Sequence, residues 1–167
     1  FMESYGTPQV RALTMASRAF LAAPPDGFAE HPVMSPRGAM MVAGVGEEAG
    51  LHEHWDVLRA LSPNGQLLDA AGACALMPAL RPGMVIGGVY EPDAMDMDVH
   101  AIHQGYLRGL RRAAGKVVTD ADVTALQRAG GSWRVTAGGQ VYEAPVVLNA
   151  AGAWADVIGA LAGAASI

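Results

Sequence analysis

The run Val146-Val147-Leu148-Asn149-Ala150-Ala151-Gly152-Ala153-Trp154-Ala155-Asp156 carries the strongest chemical signal in the chain. Its pattern is an apolar strand, then a turn in which no side chain from Ala150 to Ala153 exceeds a methyl group, then a helix. Backbone N–H groups at such a helix start can approach an anion closely, and the helix dipole favours it. The same small residues would also suit a tight turn that needs them only for packing, and spacing alone leaves the two readings level.

Other polar clusters carry less. His52 and His54 stand two apart with Glu53 between them, which on a helix puts the imidazoles on different faces, as on a solvated surface. His100 and His103 could share a helical face but have no carboxylate at matched spacing. Asp93, Asp96 and Asp98 lack the spacing and the terminal Glu of a calcium loop, and read as a solvated loop ending in a helix cap. Cys74 is the single cysteine. It excludes an internal disulfide and a cysteine metal cluster, fits a reducing cytoplasm, and reads as a small apolar side chain on an Ala-rich helix. Met34, Met40 and Met41 read as core filler. No G-x-S-x-G elbow, Walker loop or G-x-G-x-x-G after a strand occurs, and Gly44, Gly46 and Gly50 lack the last context. No catalytic residue and no metal ligand is assigned on these grounds.

The elements that must position the Asn149–Trp154 turn follow from periodicity. Pro8–Leu21 reads as a helix capped by Thr7, with Val10, Leu13, Ala16, Phe20 and Leu21 on one face. Val33–Val45 reads as irregular strands, Glu47–Ala60 as a helix, and Leu68–Leu80 as a helix capped by Asp69 and stopped by Pro78. Met84–Tyr90 is a strand and Glu91–Met97 a polar loop. Asp98 caps a helix with Val99, Ile102, Tyr106, Leu107 and Leu110 on one face, ended by Gly115. The period then changes to two: Lys116–Thr119, Asp122–Arg128, Ser132–Ala137 and Gln140–Glu143 are short strands, turning at Gly130-Gly131 and Gly138-Gly139. Pro145–Leu148 is an apolar strand and Trp154–Leu161 the last helix. Helix, strand, meander, apolar strand and helix describe the second half of a dinucleotide-binding domain whose crossover is a β-meander.

Composition sets the outer bounds. Of 167 residues, 51% are apolar and 16% charged, enough for a sizeable core and too apolar for a disordered chain. Eleven basic against sixteen acidic residues give no basic footprint for nucleic acid. The longest uncharged stretches, Ala144–Ala155, Val157–Ile167 and Ala70–Leu80, fall short of the ~18–20 residues a membrane helix needs, and nothing reads as a signal peptide. The opening Phe1 and the trailing Ala164–Ile167 lead us to expect a piece of a longer protein.

Several runs carry a resemblance: Tyr5-Gly6-Thr7-Pro8-Gln9-Val10-Arg11-Ala12-Leu13, Glu30-His31-Pro32, Ser35-Pro36-Arg37, His103-Gln104-Gly105-Tyr106-Leu107-Arg108-Gly109 and Asn149-Ala150-Ala151-Gly152-Ala153-Trp154. Together the chain resembles the FAD-dependent D-amino acid oxidase and glycine oxidase superfamily, nearest to its D-arginine dehydrogenases. The resemblance implies a mixed α/β chain: part of a Rossmann-like FAD-binding domain with a β-meander crossover, plus part of a substrate-binding domain. Residues 1–22 would be a helical segment of the FAD domain with an active-site lid, 23–92 part of the substrate domain, and 93–167 the second half of the FAD domain. The Rossmann phosphate loop and the groups that grip a substrate carboxylate would lie outside this chain.

By the same resemblance, main-chain groups of Val123 would hold the FAD adenine. Ala150, Ala151, Gly152 and Trp154 would lie against the cofactor, and Tyr5 on a mobile loop would touch the substrate. An acidic residue that pairs with a substrate guanidinium in the arginine-specific relatives falls here on Ala39, which predicts neutral or apolar D-amino acids as substrates. The implied activity is oxidative deamination of a D-amino acid to a 2-oxo acid and ammonia, with the electron acceptor open. A relative acting on glycine, sarcosine or a 2-hydroxy acid would share these cofactor residues. A non-catalytic α+β interaction module is the reading from a different class, and a flavin absorbance spectrum separates it from the rest.

Overall fold

In the computed structural model, which describes residues 1–165, Thr7 and Pro8 start the first helix as their chemistry requires. The Thr7 hydroxyl accepts from the Val10 N–H, and Pro8 occupies a position whose N–H would have no helical partner. This helix, α1 (Pro8–Ala22), turns a different face inward from the expected one. Leu13 is 71% exposed and Val10 and Phe20 also reach solvent, while Arg11, Thr14, Arg18 and Leu21 lie at least partly covered. The buried stripe keeps the helical period but is mostly polar, because its members fasten the loop before the helix.

The chain forms two compact units, Phe1–Ala114 and Gly115–Ile167. In the first, β1 (Met34–Pro36) pairs antiparallel with β5 (Met95–Met97), and β2 (Ala39–Ala43), β4 (Gly87–Glu91) and β3 (Gln66–Asp69) form a sheet in the order β2-β4-β3. Helices α2 (Glu48–Leu61) and α3 (Ala70–Leu76) pack on that sheet. Leu58 of α2, Ala73 of α3 and Val89 of β4 are almost wholly buried. Asp69 caps α3, accepting from the Gly72 N–H at 2.7 Å, but Gln66–Asp69 pairs with β4 instead of continuing a helix. Likewise Met95–Met97, expected in a loop, is a strand, and Met84–Ile86 precedes β4 without joining it.

A second cluster joins Leu21, Phe28, Val33 and Met34, with Ala101 and Ile102 of α4 (Val99–Arg112) against it. Asp98 caps α4, accepting from the Ala101 N–H at 2.8 Å. Gly105 explains how α4 reaches the Phe28 loop: a Cβ there would stand 2.7 Å from two ring atoms and from the carbonyl oxygen of Phe28. Arg108, one turn on, donates to that same carbonyl. The ring of Tyr106 meets Phe28 edge-on at 5.2 Å and stacks on Phe20 at 6.0 Å. Three residues of the His103–Gly109 run, Gly105, Tyr106 and Arg108, are thus accounted for by packing. The helix ends one residue earlier than expected, with Ala114 instead of Gly115 in the left-handed conformation at φ 57°.

The second unit is the expected meander: β6 (Val123–Ala129), β7 (Ser132–Ala137) and β8 (Gln140–Ala144) in that order, all antiparallel. Its hairpins close at Gly130-Gly131 and Gly138-Gly139, each pair with both φ positive, the requirement of the two-residue turn that matches strand twist. Lys116–Thr119 and Pro145–Leu148, read from the sequence as strands, pair with nothing among the described residues; Leu148 is 88% exposed. A strand pattern becomes a strand only beside a hydrogen-bonding neighbour. A short 3₁₀ turn at Gly152–Trp154 leads into α5 (Ala155–Leu161), which packs against β6.

Candidate functional site

Residues Phe1–Gly6, ahead of the Thr7 cap of α1, form a loop that is fastened along its length. Phe1 C=O accepts from the Met95 N–H at 3.0 Å, and the Glu3 carboxylate takes two bonds from the Arg18 guanidinium, at 2.8 and 3.0 Å. The Glu3 N–H donates to Glu91 Oε1 at 3.0 Å, the Ser4 hydroxyl donates to Glu91 Oε2, and Gly6 C=O accepts from Arg11 at 2.6 Å. Ser4 and Glu91 are both 2% exposed. A buried carboxyl is costly unless its oxygens are satisfied, and here each oxygen has a donor.

Tyr5 alone points out of this clamp. Its side chain is 61% exposed and lines a cavity of about 600 Å³ with Arg11, Met41, Val42, Glu53 and His54 among its walls. His54, half-buried, faces Ser4 with Nε2 3.5 Å from the hydroxyl. Burial holds the His54 imidazole below its ordinary value; Glu91 opposes that shift and Arg11 adds to it. Within this unit, then, the expected substrate residue sits at a cavity mouth. Ala39 lies half-buried at the start of β2, directly opposite Glu91 across the β2–β4 pair.

In the second unit, Ala150, Ala151, Gly152 and Trp154 occupy one turn, and Asn149 staples it. The Asn149 amide donates to Ala155 C=O at 2.8 Å while its oxygen accepts from the Ala151 N–H at 3.2 Å. Gly152 has φ 57° and only open space where a Cβ would be; Ala150, Gly152 and Trp154 are exposed. The turn therefore presents bare backbone and one indole, a surface that a flat ring system can approach without obstruction.

Val123 opens β6 at the outer edge of the meander. Asp122 C=O accepts from the Gly138 N–H on the β7 side at 3.2 Å, so strand alternation turns the Val123 N–H and C=O to the opposite edge. That edge has no partner strand among the described residues, and the ladder shifts register between Val123 and Ala125. A free donor and acceptor on one residue are what an adenine edge needs. Both features fit an FAD molecule on the chemistry of the groups present.

Known proteins agree with this fold. The chain belongs to the FAD-dependent oxidoreductases: the family model of that description, DAO, matches residues 2–166. Among solved structures it is similar to glycine oxidase from Geobacillus kaustophilus, at 22% identity and a TM-score of 0.75 over 98% of this chain and 44% of that one. It is also similar to L-proline dehydrogenase from P. horikoshii, at 15% identity and 0.74 over 98% and 44%. A third, L-α-glycerophosphate oxidase from Mycoplasma pneumoniae with FAD bound, matches at 17% identity and 0.64 over 80% and 36%. The chain spans less than half the length of these structures.

Sequence reasoning missed Glu91, Ser4, Arg11 and His54. Glu91 precedes Pro92 and reads as the start of a loop; its burial follows from strand register and from a partner 87 residues away. His54 reads as solvated surface, and only the fold turns it toward Ser4. Among the described residues, no three His, Cys, Asp or Glu side chains gather as a metal site requires, and no helix is long and apolar enough to cross a membrane.

Proposed function

We propose that this chain is part of an FAD-dependent enzyme that oxidises D-amino acids with neutral or apolar side chains to 2-oxo acids and ammonia. Bound FAD would supply the oxidant, taking a hydride from Cα as the amine nitrogen gives up a proton; water would then hydrolyse the released imino acid to the 2-oxo acid and ammonia. Val123 would hold the adenine through its free main-chain edge, and the Ala150–Gly152 turn with Trp154 would lie against the cofactor. Tyr5 would touch the substrate at the cavity mouth. The remaining roles divide as the resemblance divides them: residues 1–22 to the lid and its helix, 23–92 to the substrate domain, 93–167 to the cofactor domain. A reducing compartment, the cytoplasm, suits the half-buried thiol of Cys74.

The observation that supports this reading best is the exposed Tyr5, held by a pinned loop over a cavity. The preference for neutral side chains rests on Ala39. A methyl group offers a guanidinium no partner, and the carboxyl opposite it, that of Glu91, already has a donor on each oxygen. Turnover by the full-length flavoprotein on a panel of D-amino acids, with glycine, sarcosine and a 2-hydroxy acid included, tests the proposal. Fastest turnover is expected on a neutral or apolar D-amino acid; fastest turnover on D-arginine would overturn the side-chain preference, and on glycine, sarcosine or the hydroxy acid the substrate class.

A further inference from the structure

We infer that Glu91 is the positioning residue for Tyr5, acting through the backbone of Glu3 and the hydroxyl of Ser4; the inference rests on the reading above that Tyr5 meets the substrate. Glu91 is 2% exposed at the end of β4, and a carboxyl in such a place must have its oxygens satisfied by donors within the fold. What it does is visible in its partners. Oε1 accepts from the Glu3 N–H at 3.0 Å and Oε2 from the Ser4 hydroxyl, so one rigid strand end grips the two residues immediately before Tyr5. On the other side, Gly6 takes φ 90° and its carbonyl is held by Arg11.

Tyr5 is therefore bracketed by fixed points while its own side chain takes no part in the bonds. With two main-chain neighbours fixed, the direction of the Tyr5 Cα–Cβ bond is set before any substrate arrives, which lowers the ordering cost of binding. Arg18 braces the far side of Glu3 but approaches from a helix on the surface, with side chains 35% and 23% exposed. Its contribution is accordingly smaller than that of a fully buried acceptor. His54, 3.5 Å from the Ser4 hydroxyl, closes the pocket around the clamp and carries none of the loop's main-chain bonds.

The test is a double-mutant cycle in the full-length FAD-loaded enzyme, with steady-state kinetics on the best neutral D-amino acid and flavin content per chain to verify folding. Tyr5→Ala is expected to raise KM. Glu91→Ala is expected to raise KM about ten-fold, with kcat changed less than about three-fold, because a loosened loop costs binding more than chemistry. Glu91→Gln should recover most of the loss, since its amide oxygen still accepts and the Ser4 hydroxyl can reverse to accept from the amide nitrogen. Tyr5→Ala with Glu91→Ala should be no worse than Tyr5→Ala alone.

If the double variant instead shows the product of the two single effects, Glu91 does not act through Tyr5 and the inference is overturned. If Tyr5→Ala leaves KM unchanged, the reading of Tyr5 itself fails, a separate outcome that removes the basis of the inference. Should Glu91→Ala give no flavin-loaded protein, Ser4→Ala removes one donor, leaves the carboxyl in place, and runs the same cycle with the same two criteria.

Discussion

Gly105 and Gly109 sit one turn apart on α4, and the structure assigns opposite signs to the same substitution at the two. A methyl group at Gly105 would meet the Phe28 ring and its carbonyl oxygen at 2.7 Å, closer than packed carbon atoms tolerate. Phe28 is 7% exposed and its carbonyl is held by Arg108, so neither the ring nor the backbone can give way freely. Overpacking of this kind costs roughly 1–3 kcal/mol, while replacing a mid-helix glycine by alanine returns about 0.8–1.0 kcal/mol. The net expectation for Gly105→Ala is a loss of up to about 2 kcal/mol.

At Gly109 nothing lies within 4 Å of the new methyl, so only the helix-propensity gain remains, at most about 1 kcal/mol. For a domain of this size the pair should split by up to roughly 10 °C in melting temperature around wild type. Parallel thermal melts of wild type, Gly105→Ala and Gly109→Ala measure it. Equal stabilisation by both variants would refute the close approach of α4 to the Phe28 loop, because a helix with room at Gly105 gains there just as it does at Gly109.

Two further outcomes follow from local chemistry. Ala114 holds the left-handed conformation at the end of α4 where glycine is at ease, so Ala114→Gly should stabilise by about 0.5–1 kcal/mol, read as a rise in melting temperature. His54 has its folded pKa below the ordinary value of about 6.5, so as pH falls the unfolded chain takes the proton first. Its contribution to stability is whole above about pH 6.5 and is lost as pH drops through that value toward the folded one. His54→Gln should flatten the fall in melting temperature between about pH 7.5 and pH 5.5; an unchanged slope would show that the imidazole is as solvated in the fold as in the unfolded chain.

Helix starts and the two Gly-Gly hairpins were legible because each is written in neighbouring residues. Thr7 before Pro8, Asp69 before Ala70 and Asp98 before Val99 all cap as their spacing requires, and the meander turns where paired glycines allow. Short strands were not legible in the same way. Gln66–Asp69 and Met95–Met97 have three or four residues each, and what makes them strands is a partner far along the chain, Gly87–Tyr90 for one and Met34–Pro36 for the other. Glu91 shares that fate: beside Pro92 it looks solvated, and only its register opposite Ala39 buries it under Ser4. Tyr5 and the Ala150–Trp154 turn were reached through motif resemblance, which names residues but says nothing of the clamp that holds one of them.

The apolar half of the composition is where pattern and packing part most clearly. On α1 and α4 the sequence offers an apolar face and a polar one, and the usual inference sends the apolar face inward. Yet Leu13, Val99 and Tyr106 are 71%, 71% and 59% exposed, while Arg11, Arg18, Gly105 and Arg108 turn toward the Phe28 cluster and the loop before α1. The inward residues are the ones that fasten backbone: three arginines hold a carbonyl or a carboxylate, and one glycine lets a ring come close. Val146 and Leu148, at 66% and 88% exposed, repeat the contrast in the second unit, where an apolar strand pattern has no ladder to join among the described residues. For α1 and α4, hydrophobic periodicity thus identified the helices but not the faces they bury. In these two helices, the polar side chains that reach main-chain carbonyls report the direction of the fold more faithfully than the leucines do.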